Sequence, residues 1–216
     1  MTRVLILGAG GHGQVVADVL AAAHQAGSPA FPLGFLDDDE RLVGHTIQGL
    51  PVFGPLSALA IVEHEAAIVA IGDNRRRAAL FDALVAARER LETAIHPRAI
   101  LAAGVRIGAG TVICAGAIVN PEAVIGANAI LNTASTVDHH CTVGDHAHLG
   151  PGVHLGGRVR IGSLALLGVG VSVAPGASVG SGAILGAGAA VVRDIPAWTI
   201  AVGVPARVIS TLERPE

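Results

Sequence analysis

The sequence predicts a small α/β unit with a parallel sheet, joined to a parallel β-helix. Two observations carry this. From Ile95 to Val191 an aliphatic residue stands at every sixth position without a gap, as at Ile107, Ile113, Val119 and Ile125. Four positions after each comes a small residue, as at Ala117, Ala123, Ala129, Ser135 and Cys141. That hexad is the signature of coils stacked along one axis. Ahead of it, residues 1–92 alternate short apolar runs with amphipathic stretches, the pattern of strands and helices around a parallel sheet.

Each element follows from its local sequence. Val4-Leu5-Ile6-Leu7 reads as a buried strand, and Val15, Val16, Val19 and Leu20 give residues 14–25 a helical apolar face. Leu33 to Leu36 and Ile68 to Ile71 read as two further strands, and residues 75–91 as a helix with a charged face. Three strands fill this unit. In the hexads the aliphatic and the small residue point inward, and three hexads close one coil, which gives five to six coils. Pro97, Pro121, Pro151 and Pro175 all fall two residues after an aliphatic. Proline fixes φ and donates no hydrogen bond, so this slot is a corner. Pro196 and Pro205 break the repeat. The expected organisation is an α/β domain at 1–92, a β-helix at 93–193 and a capping tail at 194–216.

Composition removes several functions. The formal charge is −3, which offers no nucleic-acid surface. No run of about 18 apolar residues is present, so no membrane span is expected. Four Phe and one Trp leave an aliphatic core. Cys114 and Cys141 lack metal-ligand spacing, and a reducing cytoplasm is the natural setting.

Gly8-Ala9-Gly10-Gly11-His12-Gly13 matches G-x-G-x-x-G between a strand and a helix, a Rossmann-like arrangement. Glycines let backbone approach a phosphate, and a helix N-terminus favours negative charge. Asp37 follows where a ribose-binding acid would stand. The ligand of a parallel sheet lies beyond the strand C-termini. There the glycine loop (Gly10, His12, Gly13), the acids Asp37 and Asp38, and the segment Gly72-Asp73-Asn74 converge. A nucleotide or nucleotide sugar fits better than NAD, because no dehydrogenase domain follows.

Five of the ten histidines cluster at His139, His140, His146, His148 and His154. His139 takes the corner slot used elsewhere by proline, so solvent reaches it, and Asp138 precedes it as a candidate to orient the ring. Histidine is the natural general base near neutral pH. His140, His146 and His154 read as solvated surface residues.

Together the glycine loop, Phe35-Leu36-Asp37-Asp38, Ala70-Ile71-Gly72-Asp73-Asn74, Val137-Asp138-His139-His140 and Val202-Gly203-Val204-Pro205-Ala206-Arg207 carry a resemblance over nearly the whole chain. The chain resembles the sialic-acid O-acetyltransferase-like family of left-handed β-helix acyltransferases. Its best-matched branch is the bacterial nucleotide-amino-sugar N-acetyltransferases, of UDP-4-amino-sugar or GDP-perosamine type. The resemblance implies left-handed coils and a cytoplasmic homotrimer with acetyl-CoA, the acetyl donor, between neighbouring β-helices. It implies a nucleotide sugar on the N-terminal unit, with its sugar near His139. It assigns His139 as base and His148 as a second active-site histidine. Asn132 falls near the sugar, and Gly157, Val169 and Ala187 line the CoA arm. Asp37 and Asp38 would contact the nucleotide base, with His12 and Gly13 at the phosphates. Relatives often carry an acid directly after the catalytic histidine, where this chain has His140.

The implied reaction is direct acetyl transfer to the amine of a nucleotide-linked 4-amino-4,6-dideoxy sugar in surface-glycan synthesis. UDP, GDP and dTDP remain open, since two aspartates do not distinguish the bases. Two rivals share the fold: an O-acetyltransferase of sialic-acid type, and a non-catalytic nucleotide-sugar-binding trimer. Left-handed β-helices also host zinc carbonic anhydrases, whose site resembles three histidines with two of them five residues apart. No pair here has that spacing, and no metal is expected.

Overall fold

The computed structural model describes residues 1–214, in two units that divide between Pro97 and Arg98. In the first, β1 (Thr2–Leu7) leads into α1 (Gly11–Gln25), β2 (Ala30–Leu36), β3 (Thr46–Ile47), β4 (Leu50–Gly54), β5 (Ala66–Val69) and α2 (Asn74–Ala86). The sheet runs β3-β4-β2-β1-β5. β1 lies inside it, between β2 and β5 and parallel to both, and Val4 to Leu7 are fully buried. That burial on both faces explains an unbroken apolar run instead of alternation.

The sheet has five strands where the sequence suggested three. The additional pair, β3 and β4, is an antiparallel hairpin turned by Gln48 and Gly49, both at positive φ. Its β4 strand then lies parallel to β2. Two residues at positive φ suit the tight hairpin turn whose twist matches the strands. Helix α2 also stops earlier than the sequence suggested, at Ala86.

The second unit is a left-handed parallel β-helix of two-residue strands. Each strand pairs in parallel with the one three hexads on, so Ile118 lies beside Thr136 and Thr136 beside His154. Three faces result. The first holds Thr136–Val137 and His154–Leu155, the second Thr142–Val143 and Arg160–Ile161, and the third Ile130–Leu131 and His148–Leu149. The hexad aliphatics from Ile113 to Val191 are buried, as are the small residues from Thr111 to Ala189.

Corners join the faces. The proline slot is the first residue of each turn, as at Pro121. The residue after it takes a left-handed backbone, at Glu122 (φ 61°), His140 (φ 60°) and Arg158 (φ 61°). Successive corners are laced together: Pro121 O accepts the His140 N–H at 3.1 Å, His139 O the Arg158 N–H at 3.0 Å, and Gly157 O the Gly176 N–H at 2.9 Å. These bonds hold ordinary L-residues in a conformation that costs each roughly 1–2 kcal/mol.

Beyond Asp194 the tail pairs with the last coil. Strand Thr199–Val202 runs parallel to Ile184–Leu185, and Arg207–Thr211 returns antiparallel to it. Among the described residues no helix is long and apolar enough to cross a membrane.

Candidate active site

Two places concentrate chemistry, one in each unit. In the first, a cavity of about 330 Å³ opens beyond the C-termini of β1, β2 and β5. Gly10, Gly11, His12, Asp37, Asp38, Gly72 and Arg76 are among the residues that line it. Helix α1 starts here with Gly10 as its N-cap, without a side-chain cap and without an acid in its first turn. No acid in its own first turn offsets its positive dipole end, the arrangement that suits a phosphate.

The loops around this cavity are tied by the acids. Asp37 Oδ2 accepts the Ala9 N–H at 2.7 Å, and its Oδ1 accepts the Asp39 N–H at 2.9 Å. Asp38 Oδ1 accepts the Leu56 N–H at 2.9 Å. Both acids thus line the cavity and also fix the loops that shape it. Gly8 holds φ +114°, and a side-chain carbon there would lie 2.8 Å from Ala70 O. Only glycine fits there, where the chain leaving β1 passes the end of β5.

Two residues expected at the ligand are buried and tied into the surrounding structure. Gly13 is buried, and a side-chain carbon on it would run into the Gly8 carbonyl, so it serves the close packing of α1 on β1. Asn74 is also buried, and its Oδ1 accepts from the Arg77 guanidinium at 2.8 Å. Arg77 is fully buried and donates as well to Ile71 O (3.0 Å) and Gly72 O (3.3 Å), which braces the cavity wall. Burial pulls its pKa down to about 10, with Asp73 opposing, so it stays a cation at neutral pH. Asp73 caps α2 by accepting the Arg76 N–H at 2.8 Å. Arg76 and Arg77 stand in a charged run, Arg75-Arg76-Arg77, that does not by itself mark them as cavity residues. The spacing of Asn74 and Arg77, three apart at a helix start, was the available signal.

In the second unit His139 stands at a corner, half-buried, with its ring over the Cα of Gly157 one coil on. A side-chain carbon on Gly157 would lie 2.6 Å from His139 Nε2 and 2.7 Å from Cε1. Gly157, expected on the CoA arm, is thus buried beneath His139 and makes room for its ring. Val169 and Ala187 are exposed and stacked at a different corner, where Val169 O accepts the Gly188 N–H at 2.8 Å.

Asp138 was expected to orient the His139 ring, and it does not reach it. Its Oδ1 accepts the His139 backbone N–H at 2.7 Å and the Asn120 amide at 2.9 Å. The Asn120 bond, with that N–H, holds the carboxyl below the usual range. The carboxylate is too short to bond both its own corner backbone and the ring beyond it. The ring partner is His140 instead. Their Nδ1 atoms lie 3.1 Å apart, with rings edge-on at 86°. His140, expected as a solvated surface histidine, is exposed yet bonded to the His139 ring.

His148 lies on the third face, and its Nε2 is 3.4 Å from the Asn132 amide, so these two are brought together. His139 follows the first face, so one β-helix places it and the His148–Asn132 pair on different sides. His146 and His154 each meet a side chain of the neighbouring coil, Asn128 and Thr136, at 2.9 Å. Burial pushes the Cys114 thiol up to about 11 and raises that of Cys141, which donates to Gly156 O. Neither is a ready nucleophile. Among the described residues no three His, Cys, Asp or Glu side chains converge as a metal site.

A hexapeptide-repeat β-helix with a half-buried corner histidine, preceded by an α/β unit with an anion-ready cleft, defines an acyltransferase-type protein. Comparison makes this specific. Residues 3–84 match the PglD N-terminal domain. The acetyltransferase domain of PglB from Neisseria gonorrhoeae is 36% identical, with 97% of this chain and 100% of that one covered and a TM-score of 0.89. PerB from Caulobacter crescentus, solved with CoA and GDP-perosamine, is 39% identical over 97% of this chain and 98% of its own, with a TM-score of 0.89. WeeI from Acinetobacter baumannii is 27% identical over 97% and 100%, with a TM-score of 0.85. No curated protein matches the chain by sequence. The chain belongs to the bacterial nucleotide-amino-sugar acetyltransferase family.

Proposed function

We propose that this chain acetylates the amino group of a nucleotide-linked 4-amino-4,6-dideoxy sugar, with acetyl-CoA as donor, in surface-glycan synthesis. The observation that carries the reading is the His139 imidazole. Its Nδ1 is engaged by His140, while Nε2 makes no hydrogen bond among the described residues and is available to take a proton. The likeness to PerB, solved with CoA and GDP-perosamine, supports the substrate class.

The roles follow from the groups present. The α1 N-terminus and Arg76 would hold the pyrophosphate, with His12 beside them and Asp38 offering acceptors to the base. A protonated amine cannot attack, so the amine enters neutral and His139 Nε2 takes one of its protons as nitrogen adds to the thioester carbonyl. The C–N bond forms, the C–S bond breaks, and the thiolate of CoA takes up a proton. Base catalysis of this kind is typically worth about 10²–10⁴-fold.

A homotrimer is part of the proposal. His139 and His148 lie on different sides of one β-helix, so a site that uses both draws them from adjacent protomers. Val169 and Ala187, exposed at a separate corner, would then line the CoA arm from one side. Both substrates are cytoplasmic metabolites, which supports a cytoplasmic setting.

The test is CoA release with acetyl-CoA and UDP-, GDP- and dTDP-linked 4-amino-4,6-dideoxy sugars, with sialic acid as comparison. One nucleotide amino sugar should turn over rapidly, and His139→Ala should lower kcat by about 10²-fold or more at little change in KM. Turnover of sialic acid alone would move the assignment to O-acetylation. A near-normal kcat in the variant would remove His139 from the chemistry.

A further inference from the structure

The transfer as described gives His140 no chemical step, yet its placement is specific. It occupies the left-handed position of its turn at φ 60°, between Glu122 and Arg158 at the same position of the neighbouring coils. Its Nδ1 lies 3.1 Å from His139 Nδ1, with ring centroids 5.2 Å apart. Two imidazole nitrogens at that distance share one proton, so one donates and the other accepts. A base that works through Nε2 keeps that nitrogen bare and carries its proton on Nδ1. His139 Nδ1–H then donates to His140 Nδ1, and His140 carries its own proton on Nε2.

We infer that His140 is the positioning residue of this site: its neutral imidazole fixes the tautomer and pitch of His139, so the base works as a histidine pair. The inference rests on the acetyltransferase reading for its kinetic consequences, but not for the hydrogen bond itself. The backbone already braces the other side, since Asp138 holds the His139 N–H and Gly157 supports the ring from below.

The pairing has a distinctive pH consequence. A proton added to His139 occupies Nε2 and removes the base. A proton added to His140 turns its Nδ1 into a donor, so His139 must accept at Nδ1 and carry its own proton on Nε2. The singly protonated pair is therefore inactive in either arrangement. The charged groups around it are Asp138 on the same coil, Glu122 and Arg158 at the adjacent corners, with the buried Cys141 thiol next in the chain.

Three variants separate positioning from mere structure. His140→Gly suits the left-handed backbone, as Gly176 does at the same position two coils from His140, and it removes the ring. His140→Asn and His140→Asp place an oxygen where Nδ1 stands and differ only in charge. Initial rates from about pH 5.5 to 9 are measured for each. His140→Gly should lose about 10–100-fold in kcat with both KM values unchanged, a loss typical of removing an orienting partner. His140→Asn should recover most of it. His140→Asp should move the acid limb to higher pH by about one unit, because a carboxylate favours the imidazolium of His139. Wild-type kcat and acid limb in His140→Gly, or an unmoved limb in His140→Asp, overturns the inference.

Nitrogen-15 imidazole spectra of the unliganded protein test the pair without turnover. Nδ1 protonated and Nε2 bare on His139 supports it, even if no amino sugar is acetylated and the functional reading fails. Nε2 protonated and Nδ1 bare on His139 overturns it, whatever the activity.

Discussion

Gly157→Ala is the perturbation the structure makes most decisive. The added methyl would sit 2.6 Å from His139 Nε2 and 2.7 Å from Cε1, whereas ordinary contact begins at 3.4 Å. The ring must therefore retreat by roughly 0.8 Å, and a misplacement of about 1 Å in a catalytic group can cost about 10²-fold. It is also forced off His140, whose Nδ1 contact of 3.1 Å has little slack. Stability should hardly change. Gly157 is not at positive φ, so alanine fits its backbone, and the half-buried ring can yield at roughly 0.5–1.5 kcal/mol. The assay pairs steady-state kinetics with thermal unfolding. The expected result is a kcat lowered about 10²-fold at similar KM, with Tm within about 6 °C of wild type. Wild-type kcat in a folded Gly157→Ala protein would refute the reasoning, since it would mean the ring position does not matter to turnover.

The first unit gives two further predictions. Gly8→Ala meets both a φ of +114° and a carbonyl at 2.8 Å, so it should destabilise by about 1–3 kcal/mol in urea unfolding and abolish nucleoside diphosphate binding by calorimetry. Arg76→Ala removes an exposed cation from the cavity wall and leaves the Asp73 cap on a backbone N–H. It should raise KM for the nucleotide sugar by about tenfold, one charge-assisted contact, with kcat unchanged. An unchanged KM would place the phosphates elsewhere.

The repeat was legible because a coil has one inside and a short period. Every sixth residue must fill the same narrow core, so the aliphatics from Ile113 to Val191 and the small residues between them announce the prism directly. The corner slot could be read for the same reason, since proline marks the first residue of the turn and His139 shares it. The glycine loop announced itself by where it stands, between a strand and a helix. The hairpin of β3 and β4 was not legible, because its strands are short and partly exposed and carry little apolar periodicity. Arg77 was hidden in a run of three arginines whose burial depends on which helix face meets the sheet.

The sequence by itself determined the periodicity, hence the β-helix, and the placement of a histidine on one of its corners. Only the tertiary structure decided what that histidine touches. Residues 18 apart become neighbours when coils stack, so the space above Gly157 exists only after closure of the turn. Residues adjacent in sequence need not bond through their side chains: Asp138 is drawn to backbone, while His140, turned by its left-handed φ, presents its ring to His139. Hydrogen-bond partners are set by directions and distances of a few tenths of an ångström, and those come from the packed chain rather than from the order of its residues.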